Sequence, residues 1–359
     1  MSASDSIPSY ARAGSRDFDR WMSDRLTDLT GDVRRALSGN LVALVLGGGY
    51  GRGEGAVVGR GGQERPYNDL DLILIVKSRP GAGKRLEAVS RHHEEAMGIA
   101  VDFSRALTVG DVASWEHRLR WHELYHGHQV LDGDPAIVHQ HAPRQIALPV
   151  PLCEASRLLL NRGAGLVWAR RVLLGQEPAP DPDFVRRNAY KALLAVGDAY
   201  VIAAGVLAPR HEGRLELLRA FVRQFPPSEA ALVTSAYASA LAFKFEPDSM
   251  PAGSAVAELL DRATALWSAA FLRIESQRHG IAWTDLASYA RWSGPREPAP
   301  ARRWLRNLGS NLRFGQLSVR APQERLYTQV AHLLDPATGQ SGSATASAAF
   351  LNRWRKVND

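Results

Sequence analysis

Cysteine is almost absent from this chain: Cys153 is the only one in 359 residues. No intramolecular disulfide can form, and a cysteine-based zinc site is excluded. Cys153 itself reads as a small buried apolar residue. Long hydrophobic runs are missing too. No stretch approaches the roughly 18–20 apolar residues of a membrane span, so no membrane partner is expected. The opening segment, MSASDSIPSYARAGSRDFDR, has no apolar core of the kind a signal peptide needs, and a cytoplasmic location is expected by default. Lysine is scarce, so arginine supplies most of the 44 basic residues behind a net charge of +7. An arginine-weighted excess favours contact with phosphate groups. It favours a nucleotide over polymeric nucleic acid, which is not the expected partner. No fixed-period repeat is present, which removes solenoid architectures.

What is present suits a globular protein of two domains: a 45% hydrophobic fraction and a length beyond that of one small core. Residues 16–38 carry Phe18, Trp21, Met22, Leu26, Leu29, Val33 and Leu37 at three- and four-residue steps, the period of an amphipathic helix. Leu41 to Leu46 is a short apolar run suited to a buried strand, and Leu70 to Val76 is a second. The Gly/Arg-rich stretch between them, GAVVGRGGQERPYN, reads as loop. A helix over about 84–97 leads to a third apolar piece, GIAVDFSRAL, and residues 111–129 read as helical. The segment HGHQVLDGDP reads as a closing loop, and Pro143, Pro149 and Pro151 mark a linker. From Leu152 to about His279 the pattern predicts a bundle of four to five helices. GQSGSATASAA at 339–349 reads as a tether or loose loop. The expected class is α+β: a small mixed-sheet domain over 1–145, an all-helical bundle over 150–290 and a basic extension over 291–359.

The chemistry concentrates in two adjoining features. GGGYGRGEG, Gly47 to Gly55, follows the first strand; NDLDLILIV, Asn68 to Val76, contains the second. Residues i and i+2 of a strand share a face, so Asp69 and Asp71 project together while Leu70, Leu72, Leu74 and Val76 fill the core. Two such carboxylates repel unless a cation lies between them, and magnesium takes oxygen ligands while keeping positions for substrate phosphates. A two-metal arrangement needs a third carboxylate from a neighbouring strand, and Asp102 in IAVDF is placed for it. In the turn, glycines permit positive φ and close backbone approach, so successive N–H groups can face phosphate oxygens, with Arg52 adding fixed charge. The G-K-[ST] of a Walker loop is absent, and the glycines do not open a long βαβ dinucleotide unit.

Gly48-Gly49-Tyr50-Gly51-Arg52-Gly53-Glu54, then Asn68-Asp69-Leu70-Asp71-Leu72, then Val101-Asp102-Phe103, together resemble the signature of the DNA polymerase β-like nucleotidyltransferase superfamily. The resemblance spans roughly residues 40–135. It implies Asp69 and Asp71 as ligands of two Mg2+ ions, and Asp102 as ligand of the catalytic one and aid to deprotonation of the acceptor hydroxyl. It implies Gly48 and Gly49, with Tyr50 and Arg52 beside them, as the triphosphate-binding turn for a nucleoside triphosphate such as ATP. The helical second half is similar in layout to small-molecule nucleotidyltransferases of the kanamycin nucleotidyltransferase type. The implied activity moves a nucleoside monophosphate to a hydroxyl of a small molecule or protein. Two departures stand out. Gly49 occupies the usual serine position, and the spacing from Gly49 to Asp69 is longer than the family's, with Arg60 and Arg65 among the extra residues.

Lys191, embedded between alanines and leucines, is a candidate for triphosphate contact or for a salt bridge with Asp198; Arg162 is a similar case. Weaker patterns are His122 with His126 as zinc ligands, the spacing of Arg273 and His279 as in HEPN ribonucleases, and the basic, aromatic-dotted segment 291–320 as a nucleic-acid surface. A polar helix surface is favoured for the histidines and a solvated, partly packed extension for 291–320, while the Arg273 and His279 pattern is short in a sequence full of arginine. Two other functions fit the same motif: a synthase of cyclic or short signalling oligonucleotides, and a degenerate nucleotide-binding regulatory or antitoxin-like protein.

Overall fold

Helix α1 (Arg16–Leu37) buries Phe18, Met22, Leu26, Leu29, Val33 and Leu37, as the spacing of its apolar residues predicts. The Ser15 hydroxyl caps it by accepting from the Phe18 N–H at 3.2 Å, and Ser38 ends it in the left-handed region at φ 38°. The computed structural model describes residues 7–59, 64–249, 256–297, 304–312, 317–336 and 344–358. After α1 come β1 (Leu41–Leu46), the single turn α2 (Gly48–Gly51), the two-residue strands β2 (Val57–Val58) and β3 (Arg65–Pro66), β4 (Leu70–Val76), α3 (Ala82–Met97) and β5 (Val101–Phe103). Short helices α4 (Val109–Ala113) and α5 (Leu119–His126), strand β6 (Gln129–Asp132) and α6 (Ile137–His141) follow.

Four strands make one mixed sheet in the order β5-β4-β1-β6, with β4 and β5 parallel and the other pairs antiparallel. The side-chain period of two divides each central strand between two cores. Leu44, Leu46, Leu70, Leu72, Leu74, Val76 and Val101 pack with the apolar stripe of α1 and with Leu86 and Met97 of α3. Ala43, Val45 and Ile75 face the opposite way, into Trp115, Leu124, Ile137 and Ile146. A strand whose odd and even residues are both buried reads as the continuous apolar run seen in β1.

Several expectations are corrected. Residues 111–129 are two short helices, and the expected closing loop contributes β6, which adds to β1 at the sheet edge. QVLD is too short and too polar to announce itself; its backbone pairing comes from β1. The expected loop over 55–68 includes the β2–β3 ribbon, with Val57 opposite Pro66. Residues 344–349 of the expected tether open α15 (Ala344–Asn358), where Phe350 and Leu351 are buried.

The chain divides into two units: Met1–Val150 with Leu207–Arg214 and Leu241–Ala252, and Pro151–Val206 with Leu215–Ala240 and Gly253–Asp359. The class is α+β, a small mixed sheet accompanied by many helices. Among the described residues, nine further α-helices follow β6 and α6: α7 (Leu152–Leu173), α8 (Phe184–Ala203), α9 (His211–Phe221), α10 (Pro227–Phe245), α11 (Val256–His279), α12 (Leu286–Arg291), α13 (Trp304–Leu312), α14 (Glu324–Leu334) and α15. Helix α7 is continuous through Gly163 and Gly165 because contact outweighs propensity there. A Cβ at Gly163 would lie 2.7 Å from the Trp267 ring, and Trp267 donates its indole N–H to the Leu159 carbonyl at 2.7 Å. Among the described residues no helix is long and apolar enough to cross a membrane.

Candidate active site

Strand register places the acidic residues. Asp71 pairs with Asp102 across the parallel β4–β5 ladder, between the buried pair Leu70 with Val101 and the pair Leu72 with Phe103. Paired residues of neighbouring strands share a face, so Asp71 and Asp102 project together, with Asp69 two residues earlier on the same side. All three are exposed, whereas Leu70, Leu72 and Val101 are buried on the other face. The Asp102 carboxyl is raised above the ordinary range, by burial first and then by the charges of Asp69 and Glu94. Asp69 and Glu94 are both carboxylates, so their charges disfavour its ionised form.

The three are not drawn into one tight cluster. Among the described residues, only Asp32, His92 and His93 bring three ligand atoms within 4.8 Å of one another. The donor set suits a hard divalent ion in kind: carboxylate oxygens on an open face, beside a turn that has no side chains to obstruct approach.

That turn is held to the acidic strand by its own backbone. The Gly47 N–H donates to the Asp71 carbonyl at 2.8 Å, and the Glu54 N–H to the Gly49 carbonyl at 2.8 Å. Gly48 sits at φ +59°, and a Cβ there would clash severely with Asp71 Oδ2. Only glycine allows both the conformation and the closeness. The first N–H groups of a helical turn have no partner within it, which leaves Gly48 and Gly49 as donors beside the Asp71 carboxylate. Tyr50 points inward and is buried. Its hydroxyl donates to the Ala56 carbonyl at 2.7 Å and accepts from the N–H groups of Tyr67 at 2.9 Å and Asn68 at 3.2 Å. The Asn68 side chain accepts from the Ala56 N–H at 3.1 Å. Tyr50 and Asn68 therefore fix where Asp69 and Asp71 stand relative to the glycines. Each such bond is worth about 1 kcal/mol.

Arg52 and Glu54 enter a buried ionic network assembled from distant segments of the same unit. Glu54 accepts from the His211 backbone N–H at 2.8 Å and from its ring Nδ1 at 2.9 Å. Arg214, with no exposed surface, donates to Glu123 at 2.8 Å, to the Ala208 carbonyl at 2.7 Å and to the Pro209 carbonyl at 3.2 Å. Its Nη1 lies 3.3 Å from His211 Nε2, so the imidazole donates from Nδ1 and accepts at Nε2, the neutral form. Burial, then Arg214, Lys244 and Arg52, push the His211 pKa well below its ordinary value. Burial pushes Glu123 up, but Arg52 and Arg214 outweigh it and hold its carboxyl down to about 2. Lys244 is lowered to about 8, by burial first and then by Arg52.

The Lys244 shift has a testable sign. An unfolded lysine keeps its proton to about pH 10.4, so between pH 8 and that value the unfolded chain binds more protons and stability rises with pH. The free-energy difference between wild type and Lys244→Met, measured by denaturant titration, is expected to move in favour of wild type by about 1–3 kcal/mol from pH 7.5 to 10. Parallel curves would refute the shift.

The remaining sequence candidates lie elsewhere. Lys191 is exposed on α8 in the second unit, where Asp198 accepts from the Tyr237 hydroxyl at 2.7 Å and Arg187 pairs with Asp181 at 2.5 Å. Arg162 is half-buried on α7. His122 and His126 do share a helix face, with ring centroids 4.5 Å apart, but His122 is buried and its Nδ1 faces the Ile146 carbonyl at 2.9 Å. Arg273 pairs with Glu229 at 2.9 Å, while His279 lies 3.5 Å from Glu275. In the Asp32 group, His93 is buried and donates to Asp32 at 2.9 Å, and Arg35 pairs with the same carboxylate. Arg65 is exposed on β3; Arg60 lies outside the described residues, as do Arg302, Arg303 and Arg313 of the basic segment. Glu123, His211, Arg214 and Lys244 carried no local sequence signal, and Glu54 stood in the glycine motif without a role of its own, since their significance comes from contacts across as many as 157 positions.

Fold and site together define an α+β protein that presents acidic side chains on one sheet face beside a glycine turn. No protein-family model matches the chain, and no curated protein matches its sequence. Among solved structures, it is similar to a crystal structure of spectinomycin adenyltransferase AAD(9) from Enterococcus faecialis with ATP and spectinomycin. The TM-score is 0.39 and the identity 11%, over 67% of this chain and 98% of that one. A score that low does not establish a shared fold.

Proposed function

We propose that this protein is a magnesium-dependent nucleotidyltransferase, moving a nucleoside monophosphate from a triphosphate to a hydroxyl group and releasing pyrophosphate. The observation that carries the reading is the register of β4 and β5, which sets Asp71 beside Asp102 on an exposed face next to Gly48. It agrees with the motif resemblance of Gly48-Gly49, Asp69-Leu70-Asp71 and Asp102.

In this reading Asp69 and Asp71 would hold both of two magnesium ions, and Asp102 would also hold the catalytic one of the pair. When bound, magnesium supplies neutralisation of the charge on the triphosphate and pyrophosphate oxygens. The chain's own part is positioning. Gly48 and Gly49 offer backbone N–H groups to the phosphates, without the hydroxyl that a serine at position 49 would add. Asp102 would take the proton of the attacking hydroxyl, and burial first, then the charges of Asp69 and Glu94, raise its pKa and make it a stronger base. The acceptor is a small hydroxylated molecule or a protein side chain.

The test is incubation with each α-labelled triphosphate and magnesium, with and without candidate acceptors, using wild type and Asp69→Ala/Asp71→Ala. Magnesium-dependent transfer by wild type alone is the expected result. Equal transfer by both proteins would remove these carboxylates from the chemistry. Self-contained oligonucleotide products without an acceptor would move the assignment to a signalling-nucleotide synthase.

A further inference from the structure

A cavity of about 290 Å³ opens at the C-terminal end of the glycine turn, within the first unit. Its lining includes Gly51, three residues beyond Gly48 in the same turn. Its functional lining is Arg52, Arg210, Tyr125, His126, His128 and His139. No carboxylate lines it among the described residues.

Arg52 is the informative member. Its side chain is only 9% exposed, and its two acidic contacts are long: Glu54 at 3.4 Å and Glu123 at 3.8 Å. A charge-assisted bond from arginine to a carboxylate is ordinarily about 2.7–2.9 Å. Both acids have closer partners, His211 for Glu54 at 2.8 and 2.9 Å and Arg214 for Glu123 at 2.8 Å. A guanidinium carries five donors, so most of the hydrogen-bonding capacity of Arg52 is unspent where it meets the cavity. The stem is held in place, because a Cβ on Gly127 would overlap Arg52 Cγ.

The surrounding charge leans the same way. Arg52, Arg214 and Lys244 are three cations against the two carboxylates Glu54 and Glu123, and His211 is neutral. A buried surplus of positive charge is costly unless an anion meets it. The imidazoles add shape without adding negative charge. His128 donates from Nδ1 to the Leu124 carbonyl at 2.7 Å, and His139 from Nε2 to the Tyr125 carbonyl at 3.0 Å, with ring centroids 5.2 Å apart. These bonds fix each ring's tautomer and orientation at the cavity wall.

We propose that this cavity is an oxyanion site, taking a phosphate group through Arg52 and Arg210. The inference does not need the nucleotidyltransferase reading. If both hold, the phosphate belongs either to the nucleotide's own tail or to an anionic acceptor or effector. The cavity disfavours a cationic ligand in either case.

The experiment is calorimetric titration of the full chain with inorganic phosphate, repeated on Arg210→Ala, Arg52→Met and the control Arg91→Ala. Arg210 and Arg91 are both exposed, so neither change should disturb folding; Arg91 lies on α3, away from the cavity lining. Saturable binding is expected, weakened at least about tenfold by Arg210→Ala and unchanged by Arg91→Ala. No saturable phosphate binding to wild type, or equal weakening by Arg91→Ala, would overturn the proposal. A further titration in the presence of magnesium and a non-hydrolysable triphosphate separates the sources. Competition supports the nucleotide's tail as occupant, and simultaneous binding supports an anionic acceptor or effector.

Discussion

Replacing Asp102 with asparagine is expected to lower nucleotide transfer by about 10³-fold or more, some 4 kcal/mol of transition-state stabilisation, while leaving stability within about 0.5 kcal/mol of wild type. The two halves of this expectation have separate physical causes. Asp102 keeps an exposed face, and its pKa is raised by burial first and then by the charges of Asp69 and Glu94, so a neutral amide of the same shape removes desolvation cost and repulsion from the folded state. For the reaction, an amide neither takes a proton nor offers a second anionic oxygen to a cation. Transfer of the α-label measures the first half and a denaturant melt the second. A destabilised Asp102→Asn that keeps its transfer rate would make the carboxylate structural and remove the proposed role.

The second large effect is expected at Arg214. Arg214→Ala should destabilise the first unit by about 3–5 kcal/mol, because truncation empties a fully buried position and leaves the half-buried Glu123 without its closest cation. It also abandons the carbonyls of Ala208 and Pro209. Arg214→Lys is expected to recover little, since one ammonium cannot reproduce a planar fork that serves Glu123 and two carbonyls at once. The measurement is the denaturant midpoint of each variant. Full recovery by lysine would mean that charge alone, without guanidinium geometry, holds this region. The network also bears on the site: Glu54 ends the glycine turn and is tied to His211, so loosening the network frees one end of the turn that approaches Asp71.

Much of the first unit was legible because its determinants are local. The stripe on α1, the apolar runs of β1 and β4, and the alternation of Leu70, Leu72 and Leu74 with Asp69 and Asp71 follow from side-chain period alone. The acidic face is equally local, since a strand's pleat dictates that Asp71 and Leu72 point oppositely. The failures have a common origin. Strand β6 consists of QVLD, which forms because β1 offers an unpaired edge; nothing in those four residues requires it. Residues 111–129 carry a helical period that Pro-free composition alone could not divide, yet the chain breaks between Ser114 and Arg118 so that Trp115 stacks on Trp121, with centroids 4.1 Å apart. Tyr50 had the position of a ligand-binding residue in the motif, but its hydroxyl serves the backbone of Tyr67 and Asn68.

Order along the chain therefore determined which residues could form an acidic face and which turn would adjoin it, because strand pleat and glycine conformation act over a few bonds. Tertiary structure alone decided that Asp102 stands opposite Asp71, that Arg52 faces a cavity while making only long contacts to Glu54 and Glu123, and that Glu54 meets His211. Such pairings depend on burial and on the desolvation of charge, which arise only when segments far apart in sequence are brought together.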